Sequence, residues 1–164
     1  MNKIKQYLPL ITIIAVAALA ACAISIYESW SMERFMQLFM GIFLVQFSVL
    51  KLFDLSGFQK GFAKYDLLAK HKHGKYYGYI YPFIELLLAL GYLANGGPAG
   101  PGWVYLLTII VMGFGAIGVI LALKKGLDIN CACLGTSLKV PLSTVALTEN
   151  LTMAIMASLH FIQI

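Results

Sequence analysis

Cys131-Ala132-Cys133 is the one place in the chain where two thiols stand together. Two cysteines one residue apart close a disulfide only as a small strained ring. Strain raises the reduction potential, which suits exchange rather than structure. Lys124, Lys125 and Lys139 are near in sequence, and neighbouring cations favour the thiolate. Gly135 lets the chain turn after Cys133 and lets a partner approach closely. Two thiolates also suit a soft metal such as Cu(I), Hg(II) or Zn. The spacing alone leaves redox exchange, metal binding and an incidental pair of loop cysteines all open. Cys131 and Cys133 are the catalytic candidates, and on the metal reading they are the ligands.

Two acids could handle protons. Glu85 lies nine residues into an apolar run, near mid-membrane if that run spans a bilayer. A charged acid there costs roughly 2.5–3.5 kcal/mol on insertion scales, so it must face protein, be protonated or be paired. Its bland reading is a structural hydrogen bond, for example to Gln46 or Ser48. Glu149, beside Asn150, lies two turns into the last apolar run and is a candidate on the same terms. His71-Lys72-His73 has no third ligand next to it and reads as a solvated basic loop. The third cysteine, Cys22, reads as a small buried apolar residue.

The elements that must hold these residues are apolar. The chain of 164 residues is 60% hydrophobic and 12% charged. A soluble domain carries about 25% charged residues. The expected fold is all-α, a polytopic membrane bundle forming one domain over 1–164. Its five transmembrane helices fall at about 7–27, 35–53, 76–93, 103–123 and 142–162. Lys3 and Lys5 before the first run, with Ala18-Leu19-Ala20, also describe a signal peptide. The run is long enough to span, which favours a retained helix. On the second run, Gln37, Gly41, Leu44, Ser48 and Lys51 share one face, which should turn toward neighbouring helices. Lys51, near its end, is expected to snorkel to the interface.

Between the second and third runs, Ser56-x-x-Gln59 matches a capping box. After it Phe58, Phe62, Tyr65 and Leu68 or Ala69 recur at helical spacing, with Lys60, Lys64 and Lys70 between them. That is the pattern of a short basic helix lying on an anionic membrane surface. Pro82 falls inside the third run, where neighbours can satisfy the freed carbonyl. Gly115, Gly118 and Ala122 form a small-residue ridge on the fourth. Pro141 and Ser143 open the last, Ser143 as its expected N-cap.

The net charge of +5 reads as topology rather than as nucleic-acid binding. With the N-terminus in the cytoplasm, all 12 basic residues except Arg34 fall inside. The expectation is therefore a multi-pass protein of the cell (inner) membrane, with the N-terminus and the Cys-x-Cys loop cytoplasmic.

The order of these pieces resembles the redox-associated membrane proteins grouped with the methylamine-utilisation protein MauE and the wider DoxX-like family. The matching stretches are Lys51-Leu-Phe-Asp54, Phe62-Ala-Lys-Tyr65-Asp66-Leu-Leu-Ala69, Tyr81-Pro82-Phe83-Ile84-Glu85-Leu86, Cys131-Ala-Cys-Leu-Gly135, and Pro141-Leu-Ser143 followed by Glu149-Asn150. They cover roughly residues 34–160, and the cysteine stretch followed by Pro-Leu-Ser is the most specific of them. The resemblance implies a thiol-redox association, and a role in the maturation, transport or disulfide formation of the methylamine dehydrogenase β-subunit. Relatives fused to a glutaredoxin-type domain imply a soluble thioredoxin- or glutaredoxin-like partner. The reading is a membrane thiol-disulfide protein, with soft-metal (Cu, Hg) transport or a non-catalytic assembly role as alternatives. The sequence requires no cofactor and is compatible with a quinone. The expected partners are the lipid bilayer and a soluble thiol protein, and no nucleic acid.

Overall fold

The computed structural model describes residues 3–65, 74–95, 100, 102–124 and 142–163. Among them the ordered elements are six helices: α1 Lys3–Tyr27, α2 Met32–Phe53, α3 Leu55–Tyr65, α4 Gly74–Leu93, α5 Gly102–Lys124 and α6 Leu142–Gln163. Four stretches are long and apolar enough to cross a membrane: Leu8–Tyr27, Met32–Phe53, Gly102–Lys124 and Val145–Ile162. At 23 residues, α5 is about 35 Å long, more than one hydrocarbon thickness. The fifth expected span, α4, has 20 residues but also carries Pro82, Glu85 and several tyrosines, and it is not among the four.

The long helices alternate in direction. A Cβ on Gly41 of α2 would meet the Leu93 side chain and the Ala89 carbonyl of α4, while Lys51, later on α2, meets Glu85, earlier on α4, so these two backbones approach closely with opposite sense. On α5 and α6, Tyr105 stacks on His160 while Gly115 meets Asn150, which again makes the pair antiparallel. The main contacts run between α2 and α4, between α5 and α6, and between α1 and α2. Among the described side chains of α1 the buried ones are Leu10, Ala17, Ala21 and Ser25, a narrow stripe, and most of the others are exposed. Cys22, expected to be buried, is half-buried beside that stripe and is a free thiol.

The face read on α2 is buried throughout: Gln37, Gly41, Leu44, Ser48 and Lys51. The ridge of Gly115, Gly118 and Ala122 on α5 is buried as well. Large apolar side chains such as Leu19, Ile26, Leu87, Phe114 and Ile155 point outward and are exposed. A water-soluble surface does not carry so much contiguous apolar area, whereas lipid tails solvate it without cost.

Two local expectations are corrected at α3. Its N-terminal cap is Asp54, whose Oδ1 accepts from the Gly57 amide at 2.9 Å, and Ser56 is already inside the first turn and exposed. An aspartate placed directly after α2 satisfies the orphan amides one step earlier than Ser56 could. The aromatic face of α3 does not lie on lipid either. Phe58 and Phe62 are buried, and both rings contact Tyr81 of α4, at 6.1 and 4.8 Å between centroids. Lys60 is exposed on the other face. Leu68, Ala69, Lys70, His71 and His73 lie outside the described residues.

Candidate functional site

The polar centre of the bundle is built from three helices. Lys51 leaves α2 half a turn before that helix ends at Phe53. Its Nζ donates to Glu85 Oε1 of α4 at 2.5 Å and to Glu149 Oε1 of α6 at 2.7 Å. Side-chain exposure is 2% for Lys51, 0% for Glu85 and 1% for Glu149, so the whole ion cluster is withdrawn from solvent. The snorkelling expected of Lys51 is therefore overturned. Two carboxylates inside the bundle offer its ammonium better partners than a distant interface, and α3 folds across the end of α2 to cover it. The rings of Phe47, Phe58 and Tyr81 close around the ammonium, with centroids 5.7, 5.6 and 5.3 Å from Nζ. Desolvated cation–π contacts of this kind offset part of the cost of removing the charge from water.

Glu85 finds neither partner suggested from sequence. Ser48 Oγ donates to the Leu44 carbonyl of its own helix at 2.7 Å. Glu85 Oε2 is buried and has no hydrogen-bond donor among the described residues. Around the cluster the polar contacts continue. Tyr81 Oη donates to Asn150 Oδ1 at 3.2 Å, and Asn150 Nδ2 donates to the Ala146 carbonyl at 2.8 Å. Gly115 makes this possible, since a Cβ there would lie 2.7 Å from Asn150 Oδ1.

The structure thus brings Glu85 and Glu149 together and adds Lys51, Tyr81 and Asn150, which the sequence reading had not joined to them. A charge balance over the apolar runs was the available signal. One lysine and two acids lie within them, and each must find an opposite charge or a proton. Cys131 and Cys133 lie outside the described residues, in the 125–141 connection between Lys124 of α5 and Leu142 of α6. Glu149 is seven residues past Leu142, about 10 Å along the helix axis. The alternating helix directions therefore put the cluster in the half of the bundle nearer that connection. Among the described residues no three His, Cys, Asp or Glu side chains gather as metal ligands.

The opposite end carries a separate polar set. Arg34 Nε donates to Glu28 Oε2 at 2.7 Å, and its Nη2 reaches the Leu93 carbonyl at 3.4 Å, tying the start of α2 to the end of α4. That hydrogen bond, with the Coulombic attraction of the guanidinium, holds the Glu28 carboxyl below its ordinary range. Tyr92 Oη donates to Thr108 Oγ1 at 2.9 Å.

Long apolar helices with lipid-suited outer faces around a buried ion cluster define a multi-pass integral membrane protein. This chain belongs to the family described as methylamine utilisation protein MauE, which it matches over residues 5–163. No curated protein and no solved structure matches it.

Proposed function

We propose that the protein is an inner-membrane thiol-disulfide protein working through Cys131 and Cys133, in the maturation of a protein of methylamine utilisation. The observation that supports this is the Cys131-Ala-Cys133 pair in the connection between α5 and α6 of a chain that belongs to the MauE family. The partner is a soluble thioredoxin- or glutaredoxin-like protein. In one direction, a Cys thiolate attacks the partner's disulfide, forms a mixed disulfide and displaces the partner's second thiolate. The other cysteine then attacks the mixed bond, leaving Cys131–Cys133 oxidised and the partner as a dithiol. Two electrons pass to the partner, and the proton lost by each attacking thiol is balanced by one taken up by each departing thiolate. The opposite direction reverses both steps.

In this reading α4 is the fifth span. Its exposed Ile80, Phe83, Leu87 and Leu90 form an outward apolar face, while Tyr81, Glu85, Leu88 and Tyr92 face protein. The lysine distribution then puts the N-terminus and the thiol connection in the cytoplasm.

The test is mixed-disulfide trapping in cells with Cys131→Ser and with Cys133→Ser. The resolving-cysteine variant accumulates a covalent adduct with a thioredoxin-fold protein, and the attacking-cysteine variant does not. Absence of any adduct from both variants, with both retaining full function, refutes the proposal.

A further inference from the structure

We infer that the Lys51–Glu85–Glu149 cluster is a proton-binding site that holds one proton within the bundle. Charge supplies the first reason. Among the described residues one ammonium faces two carboxyl groups, so with both acids ionised these three side chains carry a net −1 while withdrawn from solvent. An uncompensated buried charge is far costlier than a neutral cluster. Both acids bind the same Nζ, which keeps them within the roughly 4–6 Å at which like charges oppose double ionisation. Hydrogen bonding supplies the second. Glu85 Oε2 is buried without a hydrogen-bond partner among the described residues, while Oε1 of each acid accepts from the same Lys51 Nζ. Two carboxylates have no donor between them, whereas a carboxylic acid beside a carboxylate has one. A single proton on the pair therefore removes the charge imbalance, and on Glu85 Oε2 it removes a bare, buried carboxylate oxygen.

A proton is also the cation that needs no cavity. The Lys51 ammonium already takes the position between the two acids, and the rings of Phe47, Phe58 and Tyr81 close around it. Among the described residues no other titratable group competes for the role. From α4 comes Tyr81, whose hydroxyl is turned to Asn150. From α3 comes the ring of Phe58. The titratable side chains of α5, Tyr105 and Lys124, stand near its two ends. The site would give up or regain its proton only toward the half of the bundle where α2 ends and α6 begins. None of this depends on the thiol chemistry proposed above.

The experiment is infrared difference spectroscopy of the full-length protein in lipid vesicles. It follows the carbonyl stretch of a protonated carboxyl and its shift on exchange into D2O. The intact protein shows this band at neutral pH. Glu85→Gln and Glu149→Gln each lose it, because either leaves a neutral Lys51–carboxylate pair. Helix content and thermal midpoint, read in parallel, establish that these near-isosteric variants are folded. Lys51→Met leaves two buried acids and no cation, so its band about doubles. The inference is overturned if the intact protein has no such band, if the band survives in both glutamine variants, or if added K+ or methylammonium abolishes it. That last outcome would make the site one for a larger cation. Thiol trapping and this band are separate readouts, so either can fail alone.

Discussion

Lys51 Nζ on α2 lies 2.7 Å from Glu149 Oε1 on α6, across 98 positions of sequence, and this contact links two helices that otherwise touch little. The α2–α4 pair and the α5–α6 pair are each closely packed within themselves. The ion cluster, with Tyr81 and Asn150, is the principal polar tie between them. Its loss should therefore loosen the bundle as a whole rather than one helix.

Lys51→Ala tests that tie. It leaves two buried acids without their cation and opens a hole among Phe47, Phe58 and Tyr81. Removing one partner of a buried ion pair costs about 3–5 kcal/mol. Thermal unfolding in detergent should show a large drop in midpoint. The drop should shrink as pH falls, because without Lys51 both acids must take up protons on folding, and that uptake costs less as pH falls. An unchanged midpoint at neutral pH would mean that the cluster is not formed in the membrane.

Gly115→Ala tests the close approach of α5 and α6. The new Cβ would sit 2.7 Å from Asn150 Oδ1, and Asn150 is held by its bonds to Ala146 and Tyr81. Overpacking of this kind costs roughly 1–3 kcal/mol. Asn150→Ala alone is also destabilising, but in the double variant the clash is gone. A double-mutant cycle should therefore give a favourable coupling energy. Strict additivity would separate the two residues.

Glu28 offers a pH test outside the membrane spans. Its carboxyl titrates below the ordinary value because of Arg34. A lowered folded value means that the pair's contribution is present above the unfolded value and is lost as pH falls through the lowered folded one. NMR titration of 13C-labelled glutamate should place the Glu28 midpoint below that of an exposed acid, and Arg34→Met should return it toward normal. A normal midpoint in the unaltered protein would count against the ion pair.

The apolar runs made the helices readable, since a long uninterrupted stretch has few alternatives to a helix in lipid. The small-residue faces on α2 and α5 were readable for the same reason: only contact with another backbone explains them. What covers a helix was not readable. Lys51 near the end of an apolar run has the local features of a snorkelling residue, and only the position of α3 shows otherwise. Phe58 and Phe62 form one apolar stripe whether it faces lipid or Tyr81, and periodicity is identical in the two cases. Glu85 was recognised as needing a partner, but that partner comes from another helix 34 positions away. Such a pairing is a property of tertiary packing and leaves only a charge balance in the sequence. Asp54 and Ser56 are both capping residue types two positions apart, and only the start of α3 at Leu55 decides between them.

The thiol pair gives the most direct test of function. The one-residue spacing, the nearby lysines and membership of the MauE family motivate the expectation that Cys131 and Cys133 cycle between dithiol and disulfide. A small ring cannot relax to unstrained geometry, so its oxidised form should be easily reduced. Structural disulfides lie below about −300 mV, whereas exchange proteins lie between roughly −270 and −120 mV. A redox titration of the purified protein in glutathione buffers, read by mass shift after alkylation, should give a reversible two-electron transition in the second range. Cys22 serves as an internal control, because a lone thiol on α1 should alkylate at every potential. Cys131→Ser and Cys133→Ser should each abolish the transition. If no intramolecular disulfide forms at any potential and the protein instead binds Cu(I) or Hg(II) with one-to-one stoichiometry, the thiols are metal ligands and the redox proposal falls.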